Sequence, residues 1–190
     1  MNEDAMWRYI YEKPEYTVYF GKSCVGKSTY LNKIAQYSCK FVDCDKLIWT
    51  VLEQYTDKDN AQRYKDQSFE TVYSNVHSLE QKEHILNNWC KVLFTDQFWN
   101  YFFEIVENSF VDFDADVSYD TILDWAAVGF YYKYIPIKYR SKMEFIELTC
   151  DESVRVERIN KKNFNNKIKY LVELYKKPLI IDKTINITNQ

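Results

Sequence analysis

Tyr16-Thr17-Val18-Tyr19-Phe20 is a β-branched and aromatic run that stops at Gly21, and it predicts a short strand. Beyond a polar loop, Leu31, Ile34 and Ala35 fall at helical spacing and predict a helix over 28–37. Phe41-Val42-Asp43 predicts a second strand and 47–55 a second helix. From about 57 to 116 the chain has no glycine or proline. There Ile85, Trp89, Val92, Leu93, Phe98, Phe102, Phe103 and Val106 recur at three- and four-residue intervals, so the segment reads as mostly helical. Residues 121–125 and 143–149 predict the third and fourth strands. Helices are expected over 151–162 and 166–176, with Pro178 stopping the second, and a fifth strand within 179–187. Strands alternating with helices predict a parallel sheet covered on both faces, a three-layer α/β/α fold. No repeat or linker composition divides the chain, so 1–190 reads as one domain with a helical segment at about 57–116.

Composition narrows the classes. Of 190 residues only three are glycine and three proline, which excludes collagen-like and Gly/Pro-rich disordered chains. A net charge of −3 supplies no electrostatic footprint for a nucleic-acid polymer or an anionic membrane surface. The first eleven residues carry Glu3, Asp4 and Arg8 without an apolar run and do not read as a signal peptide, and no apolar stretch is long enough for a membrane span. Cys24, Cys39, Cys44, Cys90 and Cys150 are scattered and odd in number, which favours a reducing, cytoplasmic setting over a disulfide framework. His77 and His84 are the only histidines, too few for a typical zinc site.

Gly21-Lys22-Ser23-Cys24-Val25-Gly26-Lys27-Ser28 matches G-x-x-x-x-G-K-[ST] and is followed by Thr29. The predicted strand before it and helix after it are the context this phosphate loop requires. The glycines let backbone wrap phosphates and turn N–H groups inward. Lys27 places a compact positive charge on the β- and γ-phosphates, and the Ser28 hydroxyl is placed to ligate Mg²⁺. The helix start adds its positive dipole end to the same site. The expected ligands are therefore ATP and Mg²⁺, held by Gly21, Lys22, Ser23, Cys24, Val25, Gly26, Lys27, Ser28 and Thr29.

Among machines with such loops, GTP switches are excluded. The only later glycine is Gly129, and the position where Asp-x-x-Gly needs its Asp is Ala126. Asn32-Lys33, Asn160-Lys161 and Asn166-Lys167 all lack an Asp two residues on. A kinase needs a carboxylate on the acceptor side and cations over the transferring phosphoryl group. Asp43 and Asp45 follow Lys27 by 16 and 18 residues, at the carboxyl end of the second strand, where parallel strands converge on a crevice. If the strand runs on through Asp45, both carboxylates share one face. One would then serve the acceptor and the other Mg²⁺; alternatively Asp45 caps a helix starting near Lys46.

Gly21 to Thr29, with Phe41-Val42-Asp43-Cys44-Asp45-Lys46-Leu47-Ile48, resembles the opening of dephospho-coenzyme A kinases. Ile122-Leu123-Asp124-Trp125-Ala126-Ala127 is similar to that family's third strand, which implies an acceptor role for Asp124. Asp151 to Ile159 resembles its lid helix, with Arg158 on the family's arginine. Residues 184–189 resemble its last strand, whose Asn-rich end beside the adenine corresponds to Asn189. The departures fall on the acceptor side and the lid: Lys162 and Asn163 stand for Arg and Asp, Ala126-Ala127-Val128 for Pro-Leu-Leu, and no His-Pro element occurs between 57 and 116. Bacteriophage deoxynucleoside monophosphate kinases are similar P-loop folds with reworked acceptor sites.

Arg155 and Arg158 are two of only five arginines and share a helix face at i, i+3. With Lys161 and Lys162 they form either a lid, at about 151–177, closing over the phosphates, or a solvated face paired with Glu152 and Glu157. The aromatic stripe from Trp89 to Phe103 reads mainly as core, with one or two members lining an acceptor pocket. The expectation is a P-loop kinase in which Lys27 holds ATP, Ser28 and Asp43 serve Mg²⁺, and Asp45 (second choice Asp43) orients or deprotonates the acceptor, while Arg158 and Arg155 stabilise the phosphoryl group. The acceptor is a (deoxy)nucleoside monophosphate first and dephospho-coenzyme A second. A nucleotide-binding regulatory protein without turnover is the alternative of another class. Base, sugar and oligomeric state stay open at this level.

Overall fold

A computed structural model describes residues 14–34, 40–73, 76–108, 121–161 and 176–188. Five strands form one sheet in the order β2-β3-β1-β4-β5: β1 (Tyr16–Phe20), β2 (Lys40–Asp43), β3 (Thr121–Asp124), β4 (Met143–Thr149) and β5 (Lys183–Asn186). All four pairings are parallel. After β1 the chain fills one side of that strand with β2 and β3, then crosses to place β4 and β5 on the other. Strand order therefore reverses across β1, and the crevice at its carboxyl end is where ligands of such sheets bind.

The helices are α1 (Lys27–Ile34), α2 (Cys44–Tyr55), α3 (Lys58–Tyr73), α4 (Leu79–Leu93), α5 (Asp96–Asn108), α6 (Val128–Tyr131), α7 (Ile137–Arg140) and α8 (Glu152–Lys161). They cover both faces of the sheet, giving the α/β architecture of a P-loop NTPase-like fold. The glycine-free segment resolves into α3, α4 and α5 as its periodicity predicts. Helix α4 starts where Ser78 and Gln81 form a reciprocal capping box. The short α6 and α7 have no helical periodicity long enough to announce them. The expected helix over 166–176 lies, apart from Lys176, outside the described residues, as do 35–37 of the first helix.

Burial explains the strands. In β1, Tyr16, Val18 and Phe20 point into the larger core, while β4 is nearly continuously buried, as a central parallel strand must be. That core packs β1, β3 and β4 against α2, α5 and α6, with Phe98, Trp99, Phe102, Trp125 and Phe145 fully buried. The aromatic stripe is thus core, and each such ring removes roughly 150–250 Å² from water, worth about 4–6 kcal/mol before ordering costs. A smaller cluster of Val25, Ile146, Leu148 and Ile187 lies on the opposite face.

Gly129 in α6 marks a close approach. A Cβ there would overlap the Lys176 carbonyl of the segment that leads into β5. That segment is fastened by Lys176 to Glu83 (3.1 Å) and by Lys177 to the buried Glu147 of β4 (2.8 Å). Gly129→Ala should therefore lower stability by about 1–3 kcal/mol through overpacking, a Tm loss of roughly 2–12 °C in a chain of this size. Calorimetry checks it, and an unchanged Tm would show that the backbone contact is not tight.

Candidate functional site

The chain leaves β1 at Phe20 and turns through the loop before α1 starts at Lys27. Cys24 (φ 66°) and Gly26 (φ 104°) are left-handed. Mixing right- and left-handed residues makes successive N–H groups converge on a concavity suited to an anion. Gly26 takes this backbone at no steric cost, whereas Cys24 takes it at about 1–2 kcal/mol. Val25 between them is buried against Ile146, Leu148 and Ile187, which anchors the loop to the sheet. Lys22, Ser23, Ser28 and Thr29 remain exposed, and Ser28 sits in the first turn of α1.

Lys27 is the first residue of α1, and its amine pairs with Asp124 at the carboxyl end of β3. Both side chains are about 15% exposed. Burial pulls the amine below its usual pKa, opposed by the nearby Asp45 and Asp43 carboxylates. Asp124 is in register with Asp43 on β2 and Tyr19 on β1, so the strand ends themselves deliver these groups to one place.

The two carboxylates of Asp43-Cys44-Asp45 do not share a strand face. Strand β2 ends at Asp43, whose side chain accepts the Lys46 N–H (3.0 Å) and caps α2, so the helix begins at Cys44 rather than near Leu47. Capping therefore falls to Asp43 and not to Asp45. Asp45, in the first turn of α2, accepts the N–H groups of Ala126 (2.9 Å) and Ala127 (3.4 Å) in the turn after β3. Its pKa is raised to about 6, first by burial and further by Asp43, against the opposing pull of Lys27 and the two N–H groups.

Helix α8 reaches over the loop. Arg155 is buried, held by Glu152 through Nη2 (2.5 Å) and Nε (3.0 Å), and its Nη1 donates to the Ser23 carbonyl at 3.4 Å. Arg158 Nη1 donates to the Val25 carbonyl and lies where a Cβ on Gly26 would stand 2.9 Å away. Both guanidiniums thus grip the outer carbonyls of the loop. Glu157 pairs with Lys161 instead of an arginine (2.6 Å). Asn189 and Lys162 lie outside the described residues. Nearby, Asn186 accepts the Thr188 N–H (2.9 Å), and Thr188 Oγ1 accepts the Asp151 N–H (2.8 Å), tying the end of β5 to the start of α8.

The sequence reading placed Asp124 with the acceptor and did not pair it with Lys27, although parallel register of the strand ends carries that signal. It had no access to the backbone partners: the Ala126 and Ala127 N–H groups and the Ser23 and Val25 carbonyls have no side-chain signature.

The residues fit a phosphate chain with Mg²⁺. The loop offers left-handed residues that suit an anion cradle, a helix start and Lys27. Among the described residues no group of three or more His, Cys, Asp or Glu gathers to hold a metal. Mg²⁺ needs none, since it keeps several waters and takes one or two protein oxygens plus phosphate oxygens; Ser28 is exposed in the first turn of α1, whereas Asp43, the other residue expected for the metal, caps α2, and the carboxylate nearest Lys27 is that of Asp124.

No protein-family model and no curated protein matches the sequence. A crystal structure of TT1252 from Thermus thermophilus is similar over 94% of this chain and 91% of that one, with a TM-score of 0.52 and 13% identity. At that identity the likeness establishes the fold alone.

Asp45 makes a pH prediction. Its folded pKa of about 6 lies above the roughly 3.9 of a solvated aspartate, so between these values the folded state holds the extra proton. Stability should fall as pH rises through that window, by roughly 2–3 kcal/mol in total from this group. Asp45→Asn, which cannot ionise, should flatten that portion of the curve in urea unfolding between pH 4 and 6.5. An unaltered slope would place Asp45 in solvent-like surroundings.

Proposed function

We propose that this chain is an ATP-dependent phosphotransferase whose acceptor is a (deoxy)nucleoside monophosphate. The observation that carries the reading is the placement of Lys27: a cation at the head of α1, facing Asp124, Asp45 and Asp43 across the crevice, beneath a loop gripped by Arg155 and Arg158. In this reading the loop N–H groups and Lys27 hold the β- and γ-phosphates, and Ser28 with Asp124 faces the metal. Mg²⁺ supplies charge neutralisation between the phosphates when bound with the nucleotide. Arg158, the less buried of the two arginines, moves from the Val25 carbonyl to the transferring group. Arg155, already bound by Glu152 and the Ser23 carbonyl, holds α8 and the loop together.

Each Asp45 oxygen accepts a backbone N–H, which fixes the orientation of the carboxylate toward an acceptor. A phosphate monoester, with a second pKa near 6, brings an ionised oxygen and needs no base at neutral pH. A ribose hydroxyl, as in dephospho-coenzyme A, requires one. Asp45, with Asp43 beside it, therefore orients the acceptor.

An ADP-release assay over nucleoside monophosphates, dephospho-coenzyme A and no acceptor tests this. Turnover with one or more monophosphates is expected. Turnover with dephospho-coenzyme A alone would replace the acceptor, and ATP binding without acceptor-dependent turnover would identify a regulatory protein. Lys27→Ala should lower kcat by on the order of 10²–10³, the scale of losing one preorganised charge-stabilising donor. Full activity in that variant would remove Lys27 from the chemistry.

A further inference from the structure

Helices α2 and α3 enclose a cavity of about 260 Å³ whose floor is Trp49, Leu52 and Ala61 and whose rim carries Lys58, Gln62 and Lys65. Asp45, Trp49 and Leu52 are spaced i, i+4, i+7 on α2 and so lie along one face. At about 1.5 Å per residue, Trp49 stands roughly 6 Å from Asp45 along the axis. The cavity therefore continues the helix face whose head reaches the phosphate crevice.

Trp49 is braced from behind. Its ring lies 5.6 Å from that of Tyr64, tilted by 34°, and Tyr64 is 2% exposed. The Tyr64 ring in turn packs on Trp89 (5.4 Å) and Phe94 (6.0 Å), and Phe94 meets Tyr131 (5.0 Å). A chain of packed rings thus backs the cavity wall. The Lys65 ammonium lies 6.0 Å over the Trp49 ring, so this π-face is covered only by an exposed, flexible side chain. Glu53 and Gln62 present an acceptor and a donor–acceptor amide at the same rim. Gln62 now bonds only the exposed Asp66 (2.8 Å) and is readily recruited.

We propose that this cavity receives the heteroaromatic base of the acceptor, stacked on Trp49, while the acceptor's phosphate lies toward Asp45 and Lys27. The proposal rests on the phosphotransferase reading and names the acceptor class as a mononucleotide recognised through its base. Lys65 swings from the ring as the base enters, and Glu53 and Gln62 read the base edge. A preformed, braced platform limits the ordering cost of binding.

Calorimetric and fluorescence titrations of the full chain with a set of nucleoside monophosphates, ATP and ribose 5-phosphate test it. A monophosphate should bind and change tryptophan emission, whereas ribose 5-phosphate, lacking a base, should not. Trp49→Ala should weaken monophosphate binding roughly tenfold to a hundredfold, the range of a lost base stack, and leave ATP affinity unchanged. Trp49→Phe should keep most of the affinity but lose the emission change, and Gln62→Ala, on the exposed rim, should alter preference among bases. These two variants decide the matter if Trp49→Ala does not fold. A monophosphate that binds and turns over equally well in wild type, Trp49→Phe and Gln62→Ala, with its emission change retained in Trp49→Phe, overturns the base site while leaving the phosphotransferase reading intact. Failure of wild type to bind any monophosphate overturns both.

Discussion

The placement of one cation constrains most of this structure. Lys27 is buried at the first residue of α1, where the helix dipole is already positive, so neither solvent nor the helix favours its charge. Negative charge must come from neighbouring strand ends, and parallel pairing provides it. Asp124 and Asp43 close β3 and β2 in register, and Asp45 follows in the first turn of α2, where a carboxylate also suits the dipole of its own helix. The two ends of the problem solve each other: acidic residues that stabilise the start of α2 are the ones that compensate the start of α1. An anion that drew Lys27 toward itself would leave Asp124 without its cation, so the two groups would respond together to a charged ligand.

The grip of α8 follows the same economy of charge. Arg155 is buried yet not isolated, because Glu152 one turn earlier takes two of its donors and the Ser23 carbonyl a third. Such charge-assisted bonds are stronger than neutral ones. Among the described residues, Arg158 has no carboxylate of this kind and rests on a carbonyl of the loop. Two arginines of one helix face therefore differ in kind: one is tied into the scaffold, and the other can be exchanged toward a phosphate without exposing an unpaired carboxylate.

What the sequence made legible follows from which signals are local. Strand β1, the phosphate loop and β4 are readable because a hydrophobic run or a spacing motif is self-contained. The edges of the second strand and second helix were misplaced by one to three residues, since a capping bond donated by the Lys46 N–H to Asp43 decides them and Asp43 and Asp45 look equally able to cap. Asp124 was recognised as a site residue but given a different neighbour, because its pairing with Lys27, 97 residues away in the chain, depends on the register of β1 with β3. The hold of Asp45 on Ala126 and Ala127 was invisible, as any residue there supplies the same N–H. The short α6 and α7 escaped because four residues cannot display a period.

The aromatic load makes the crevice stiff at a measurable expense. Among the described residues, Trp99 Nε1 and Trp125 Nε1 are buried without a hydrogen-bond partner, each costing about 1–3 kcal/mol. Their rings offset this. Trp125 stacks on Phe102 (5.6 Å, 24°) and on Tyr131 (6.1 Å, 30°), and Trp99 meets Phe94, Phe98 and Phe102. Trp125 directly follows Asp124, and its backbone N–H donates to the Tyr19 carbonyl at 3.0 Å, extending the β1–β3 ladder by one bond. The ring immobilised in the core thereby fixes where β3 ends and where the Ala126-Ala127 turn begins. Asp45 can hold that turn, and Asp124 can meet Lys27, because the indole between them has nowhere to move.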